Sequence, residues 1–325
     1  MTSPAPLAPA RPRVVVGVDG SAGARAALAY ALSAAAARGA SLEVLTGCAP
    51  ELYWSAGAPM AVPDVPAVRD AVRERALVAV EAVSRDVPES ADVPVEVCVT
   101  VEPAALELVR RSSGAALVVV GSRGHGAVRS ALLGSVSLHV TAHAACPVVV
   151  VHPSPPEPAS GGGGAPRVVV GVDGSPQGHA GLAAAVEEAA RLGAELEVVS
   201  CFTPEPSWAA DVWAPIAPSE DVIVAELSSR AEAQLAEALD GRPVGAPAPG
   251  AHVDVVQGAP SDVLVQRARG AALLVVGSRA GGAVRAVLLG SVALHCVMHA
   301  PCPVLVVHPE QAVGPDGAVP RPSPA

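Results

Sequence analysis

The residues whose types and spacing could do chemistry cluster in one glycine-rich stretch. Gly121-Ser-Arg123-Gly124-His125-Gly126 follows the apolar run Leu117-Val-Val-Val, and Gly134-Ser135 opens a segment of helical length. Glycines 121 and 124 are expected to let the backbone approach a ligand closely and to take positive φ, while a helix starting at Ser135 presents free N–H groups and a positive dipole end. That combination suits a phosphate. Ser135 could equally be an ordinary N-cap, worth about 1 kcal/mol to its helix. The order G-x-x-G-x-G is not the G-x-G-x-x-G dinucleotide fingerprint, and no acidic residue closes a following strand at the expected distance.

Asp19 closes a second apolar run. Its carboxylate could accept from an amine or a hydroxyl, hold a phosphate-bound Mg²⁺ through water, or cap the helix that follows. His139-x3-His143 and His295-x3-His299, with Cys146 and Cys302 three residues further on, superficially suggest a metal site. Helical spacing alone brings such histidines together, and no glutamate follows the first in the H-E-x-x-H manner. No metal is expected. Glu187-Glu188 and Glu195-x-Glu197 read as solvated edges of a helix and a strand. No G-x-S-x-G elbow is present to hold a serine nucleophile.

Composition removes further classes. All 21 basic residues are arginine, so no P-loop lysine, Schiff base or lysine general base can form. A net charge of −10 and only six aromatic residues argue against a nucleic-acid partner. Six cysteines without a C-x-x-C pair read as reduced core thiols. No stretch has the length of a membrane span and the N-terminus lacks an apolar h-region, so a cytoplasmic protein without membrane contact is expected.

The elements that must position these residues occur twice. Val14-Val-Val-Gly17-Val-Asp19-Gly20-Ser21 recurs unchanged from Val168 to Ser175, and Leu117 to Pro153 matches Leu273 to Pro309 at 26 of 37 positions. The chain is one domain written twice. Residues 13–153 and 167–309 are the expected domains, 154–166 a Pro/Gly linker, and 1–12 and 310–325 disordered ends. In each copy short β-branched runs alternate with alanine- and leucine-rich runs, the pattern of βαβ units around a parallel sheet. Strands are expected near 13–18, 42–48, 94–101, 117–121 and 148–152, and near 167–172, 195–202, 252–257, 272–277 and 304–308. Helices are expected near 23–38, 66–86, 103–113 and 135–144. The continuously apolar strands imply helices on both faces, a doubly wound α/β sandwich with its ligand crevice at the carboxyl ends of the strands. Two long connections after the second strand of each copy carry Tyr53 and Trp54, and Trp208 and Trp213; they could contact a partner or ligand, or pack over the crevice.

Gly121-x2-Gly124-x9-Gly134-Ser135, the opening Val-Gly17-Val-Asp19-Gly-Ser21 and the closing His143-Ala-x-Cys146-Pro147-Val-Val-Val-Val151 together resemble the universal stress proteins of the ATP-binding type, in their tandem form. The resemblance implies five parallel strands per domain in the Rossmann-like order 3-2-1-4-5, with the last strands of the two domains pairing as an intramolecular pseudo-dimer. It implies an adenine nucleotide, ATP, as ligand, with Mg²⁺ only as the companion that Asp19 could hold through water. Asp19 and the backbone near Gly47 would face the adenine beside Gly17, and Gly121 and Gly134 would lie along the ribose. Arg123, Gly124, Gly126, Ser135 and Val136 would surround the phosphates. In the second copy the corresponding residues are Gly171, Asp173, Cys201, Gly277, Arg279, Gly282, Gly290, Ser291 and Val292.

The second copy departs at Ala280, where a Cβ stands in place of glycine, and His125 has Gly281 as its counterpart. It is also more acidic, with 9 Arg against 17 Asp and Glu in residues 161–325, compared with 12 against 14 in residues 1–160. The first site is therefore expected to be the tighter. The reading is an ATP-binding stress-response regulator, not an enzyme beyond slow ATP hydrolysis. Its rivals are a weak ATP hydrolase or nucleotidyl-transfer enzyme on the same fold, and a nucleotide-free interaction module. A homodimer of tandem chains and a regulatory protein partner stay open.

Overall fold

The computed structural model describes residues 11–48, 65–124, 133–153, 165–203, 219–243, 245–278 and 289–308. Residues 1–10, 154–164 and 309–325, where the Pro/Gly linker and the disordered ends are expected, lie outside them. So do the aromatic-bearing connections 49–64 and 204–218.

In the first repeat β1 (Arg13–Val18), α1 (Ala22–Arg38), β2 (Ser41–Gly47), α2 (Val65–Ser84), β3 (Val95–Thr100), α3 (Ala104–Ser112), β4 (Leu117–Gly121), α4 (Ser135–His143) and β5 (Val148–Val151) alternate along the chain. The second repeats them as β6 (Arg167–Val172), α5 (Pro176–Leu192), β7 (Glu195–Phe202), α6 (Glu220–Asp240), β8 (Ala251–Gln257), α7 (Pro260–Arg267), β9 (Leu273–Gly277), α8 (Ser291–His299) and β10 (Val304–Val307). Each repeat orders its strands 3-2-1-4-5, all parallel, the order that the family resemblance implies. The two halves fuse into one ten-stranded sheet, because β5 and β10 pair antiparallel with Val149 opposite Leu305.

The valine runs explain the two layers. Val14 and Val16 point into one apolar cluster with Leu28 and Leu32 of α1, Val80 of α2 and Leu182 of α5. Val15 points the other way, to a cluster holding Leu108 of α3, Val140 of α4 and Val297 of α8. All three are fully buried. Each such side chain contributes roughly 1.5–3 kcal/mol, so a strand apolar on both faces is stable only between two helical layers.

Helices α1 and α5 share one set of end signals. Ser21 and Ser175 accept from the N–H of Ala24 and Gly178, and Gly39 and Gly193 close the other ends in the left-handed region at φ 58°. Only glycine takes that conformation without strain.

Two acidic residues read as solvated are in fact buried. Glu197 is 1% exposed and sits between Arg167, at 2.5 Å, and Arg267, at 2.7 Å. Glu188 is likewise buried, paired with Arg38 and Arg191. Period-two and helical patterns cannot register the burial, because Arg38, Arg167 and Arg267 come from distant segments; only Arg191, one turn along the same helix, is local. Glu195 is exposed as expected, whereas Glu187 is half-buried and paired with Arg242 and Arg191. Of the six cysteines, all free, Cys48, Cys146, Cys296 and Cys302 are buried. Burial pushes the Cys146, Cys296 and Cys302 thiols up to about 12, so they behave as small apolar groups.

A histidine clasp crosses the β5–β10 junction. The His152 Nε2 lies 3.0 Å from the Val297 carbonyl in α8, and the His308 Nε2 lies 2.9 Å from the Thr141 carbonyl in α4. A carbonyl only accepts, so each Nε2 carries the proton. Burial, with a smaller contribution from the Arg123 charge, lowers the His152 pKa, which the Val297 and Cys302 carbonyls partly oppose. A histidine whose folded pKa lies below its unfolded value stabilises fully above the unfolded value, near 6.5, and loses that contribution as pH falls. The urea midpoint of the full chain is therefore expected to drop between pH 7.5 and pH 5.5. His152→Gln, which can still donate to Val297, should flatten that slope; an unchanged slope would remove His152 as its source.

Candidate functional site

The crevice of the first repeat forms where β1 and β4 end side by side. Asp19 follows β1, and Gly20 turns the chain at φ 84° before Ser21 caps α1. The Asp19 carboxylate accepts from the Ser21 N–H at 2.9 Å, which holds the turn. Capping of α1 thus falls to Ser21 and leaves Asp19 at the crevice rim.

Opposite, the chain leaving β4 passes unusually close to α1. A Cβ on Gly121 would lie 2.6 Å from the Gly23 carbonyl carbon, and one on Gly23 would lie 2.5 Å from the Arg123 oxygen. Gly124 rests against Asp19, where a Cβ would be 2.3 Å from Oδ2. None of Gly121, Gly124 and Gly134 has positive φ. The expectation that the first two need it is therefore corrected: their missing Cβ makes room for neighbouring protein atoms, and the left-handed glycine of the site is Gly20.

After the loop, the Gly134 N–H returns to the Ser122 carbonyl at 2.8 Å and Gly134 precedes α4 as its N-cap residue, without a side-chain cap. Ser135 is the first helical residue and does not cap. The N-terminal end of α4, at Ser135, Val136 and Ser137, lines the crevice. Ser137 was not anticipated; its hydroxyl donates to the Gly121 carbonyl at 2.5 Å and ties α4 to the end of β4. Only the direction of the helix reveals it, since nothing in the G-x9-G-S spacing marks the second residue after Ser135.

The crevice is a cleft of about 470 Å³ with two unlike ends. Leu45, Ala104, Leu108 and Val120 make an apolar wall, and Gly17 allows it, because a Cβ there would meet Leu108 at 2.9 Å. Arg123, Ser135, Ser137 and the start of α4 make a polar end, with Asp19 between the two. Gly17, Asp19, Gly121, Arg123, Gly124, Gly134, Ser135 and Val136 therefore come together around one space. Gly47 lines a neighbouring cleft of about 460 Å³ between α1 and α2, which shares Asp19 and Ala104 with the first. Gly126 and His125 lie outside the described residues.

In the second repeat Gly171, Asp173, Cys201, Gly277, Gly290, Ser291 and Val292 line a cleft of about 270 Å³. Asp173 accepts from the Ser175 N–H at 3.0 Å, and its Oδ1 is only 2.6 Å from where a Gly178 Cβ would stand. Cys201 takes the place of Gly47, and burial raises its thiol above the ordinary range, which leaves it neutral. Arg279, Ala280 and Gly282 lie outside the described residues. On α4 and α8 the paired histidines stack at 4.2 and 4.3 Å, with the His143 and His299 Nδ1 atoms 2.8 and 3.0 Å from the carbonyls one turn back. Among the described residues no three His, Cys, Asp or Glu side chains gather as a metal site requires. No helix among them is long and apolar enough to cross a membrane.

These features define a class: a two-repeat, doubly wound α/β protein with a glycine-loop crevice at the carboxyl end of each half-sheet. The sequence pattern of the universal stress protein family matches residues 11–152 and 165–308, and the chain belongs to that family. It is similar to a universal stress protein of Mycolicibacterium smegmatis, 33% identical over 301 residues that cover 91% of this chain and 97% of the relative. A universal stress protein of Mycobacterium tuberculosis strain H37Rv is 36% identical over 304 residues, 90% of this chain and 96% of that one. The crystal structure of a universal stress protein from Archaeoglobus fulgidus shares the fold, with a TM-score of 0.56 at 21% identity over 91% of this chain and 96% of that one.

The glycine contacts give a paired expectation. Gly121→Ala forces a Cβ into the α1 backbone and should lower stability by about 1–3 kcal/mol in urea melts. Gly134→Ala meets nothing closer than 3.6 Å and should cost less than Gly121→Ala, under about 1 kcal/mol, the loss of replacing glycine by alanine at an N-cap.

Proposed function

We propose that the protein is a cytoplasmic stress-response regulator that binds ATP in the crevice of each repeat, more tightly in the first, and whose output is nucleotide occupancy. The observation that carries this reading is the pairing, in one cleft, of an apolar wall with an uncapped helix N-terminus and Arg123. A flat, weakly polar base suits the wall, and a phosphate tail suits amides at the positive end of a helix dipole. The residues present fit the nucleotide. Asp19, at the rim, suits an amine or hydroxyl donor or a water-bridged Mg²⁺. Bound nucleotide supplies the reactive phosphoanhydride; this chain's residues bind and orient it. Without a lysine, phosphate charge would rest on arginine, the helix end and Mg²⁺, and turnover would be slow.

The smaller second cleft supports the ranking of the two sites, as do the acidic second half and Ala280. Calorimetric titration of nucleotide-free protein with ATP and Mg²⁺ should show one strong site per chain and a second weaker one. Gly124→Val should weaken the strong site at least tenfold, about 1.4 kcal/mol. Two equal sites would overturn the ranking, and an untouched affinity would overturn the site itself.

A further inference from the structure

The junction between the repeats is built almost entirely from symmetric contacts. Val148, Val149 and Val150 lie opposite Val306, Leu305 and Val304, so the register centres on two equivalent positions. The clasp obeys the same relation, since His152 corresponds to His308 and Thr141 to Val297. Neither feature distinguishes the repeats. Two first repeats could pair through β5, and two second repeats through β10, with the same bonds.

Side chains on α1 and α5 break the symmetry: Tyr30, whose equivalent is Ala184, lies partly buried beside Glu188, and one ion pair crosses between the helices. Arg38, the last residue of α1, forms an ion pair with Glu188 of α5, and the two side chains are only 11% and 9% exposed. The position equivalent to Arg38 is Leu192, and that equivalent to Glu188 is Ala34. In a pair of first repeats Arg38 would therefore meet Ala34 of the other copy. Its guanidinium would keep only the Ala34 carbonyl of its own helix, at 3.0 Å, as acceptor. In a pair of second repeats Glu188 would face Leu192 and keep only Arg191, at 2.8 Å. A buried charge stripped of its counter-ion strongly disfavours such a state, even where the intact pair adds little net stability over apolar residues. The effect is therefore one of selectivity.

We propose that Arg38 and Glu188 are the recognition pair that makes the repeats associate only unlike with unlike, so that the face around β5 accepts a second-type repeat and rejects a copy of itself. The test uses the full-length folded chain with a protease site placed in residues 154–164 and cut after purification. Nicked protein is mixed with its ¹⁵N-labelled counterpart, urea is raised until isotopically mixed pairs appear, and native mass spectra give the composition of the pairs. The wild type should exchange halves yet form only unlike pairs, whereas Arg38→Leu should produce first-repeat homodimers. Glu188→Ala should lower the unfolding midpoint of the intact chain. Adding Arg38→Leu to it should restore the midpoint while selectivity is lost, which separates recognition from a folding defect. First-repeat homodimers from the wild type, or strictly unlike pairs from Arg38→Leu, would overturn the proposal.

Discussion

Everything at the crevice depends on one close approach, in which the first turn of α1 lies against the backbone leaving β4. Gly23 and Gly121 stand where any Cβ would overlap main-chain atoms. Because main chain cannot move aside as a side-chain tip can, this contact sets the spacing between the Asp19 turn and the loop that leads to α4. The loop is then closed by the Gly134 N–H on Ser122 and by the Ser137 hydroxyl on the Gly121 carbonyl. The polar end of the cleft is thus held by three main-chain-directed contacts from three segments, a rigid arrangement of the sort that binding sites on α/β scaffolds require.

The same frame is used differently in the two halves. Gly277 approaches the Gln177 carbonyl in the second repeat as Gly121 approaches Gly23 in the first. Both aspartates brace their turn by accepting from the serine N–H two residues on, at 2.9 and 3.0 Å. The helix that follows starts Ala22-Gly23-Ala24 in the first repeat and Pro176-Gln177-Gly178 in the second. The two crevices thus differ in size, about 470 and 270 Å³, on a sheet common to both.

Charge is handled in pairs inside this lysine-free chain. Glu43 and Glu197 occupy equivalent places on β2 and β7, each clasped by an arginine from the preceding first strand and one from the helix after the third strand. These clasps are internal to each repeat and repeat with the sequence. Arg38 and Glu188 instead join the repeats and have no counterpart. Guanidinium suits both roles, since it stays charged when buried and binds a carboxylate through a fixed fork of donors.

Strand positions in both repeats and helix positions in the first were legible in the sequence to within a residue or two, because valine runs and alanine-rich runs follow periods set by the backbone itself. The duplication and the parallel sheet were legible for the same reason, since they follow from repeated local patterns; the strand order and the residues around the first cleft came through the family resemblance that the spaced glycine motif carries. What glycine does at 121 and 124 was not, because close approach and positive φ leave the same residue in the sequence, and only neighbouring atoms separate them. Glu188 and Glu197 were misread as solvated because the elements that bury them, and the partners Arg38, Arg167 and Arg267, lie far along the chain. The amino-acid sequence by itself determined the elements, their order and which of them end at the crevice. Tertiary structure decided which charges are buried and which capping group holds each turn, because these depend on atoms that meet only when the sheet has closed.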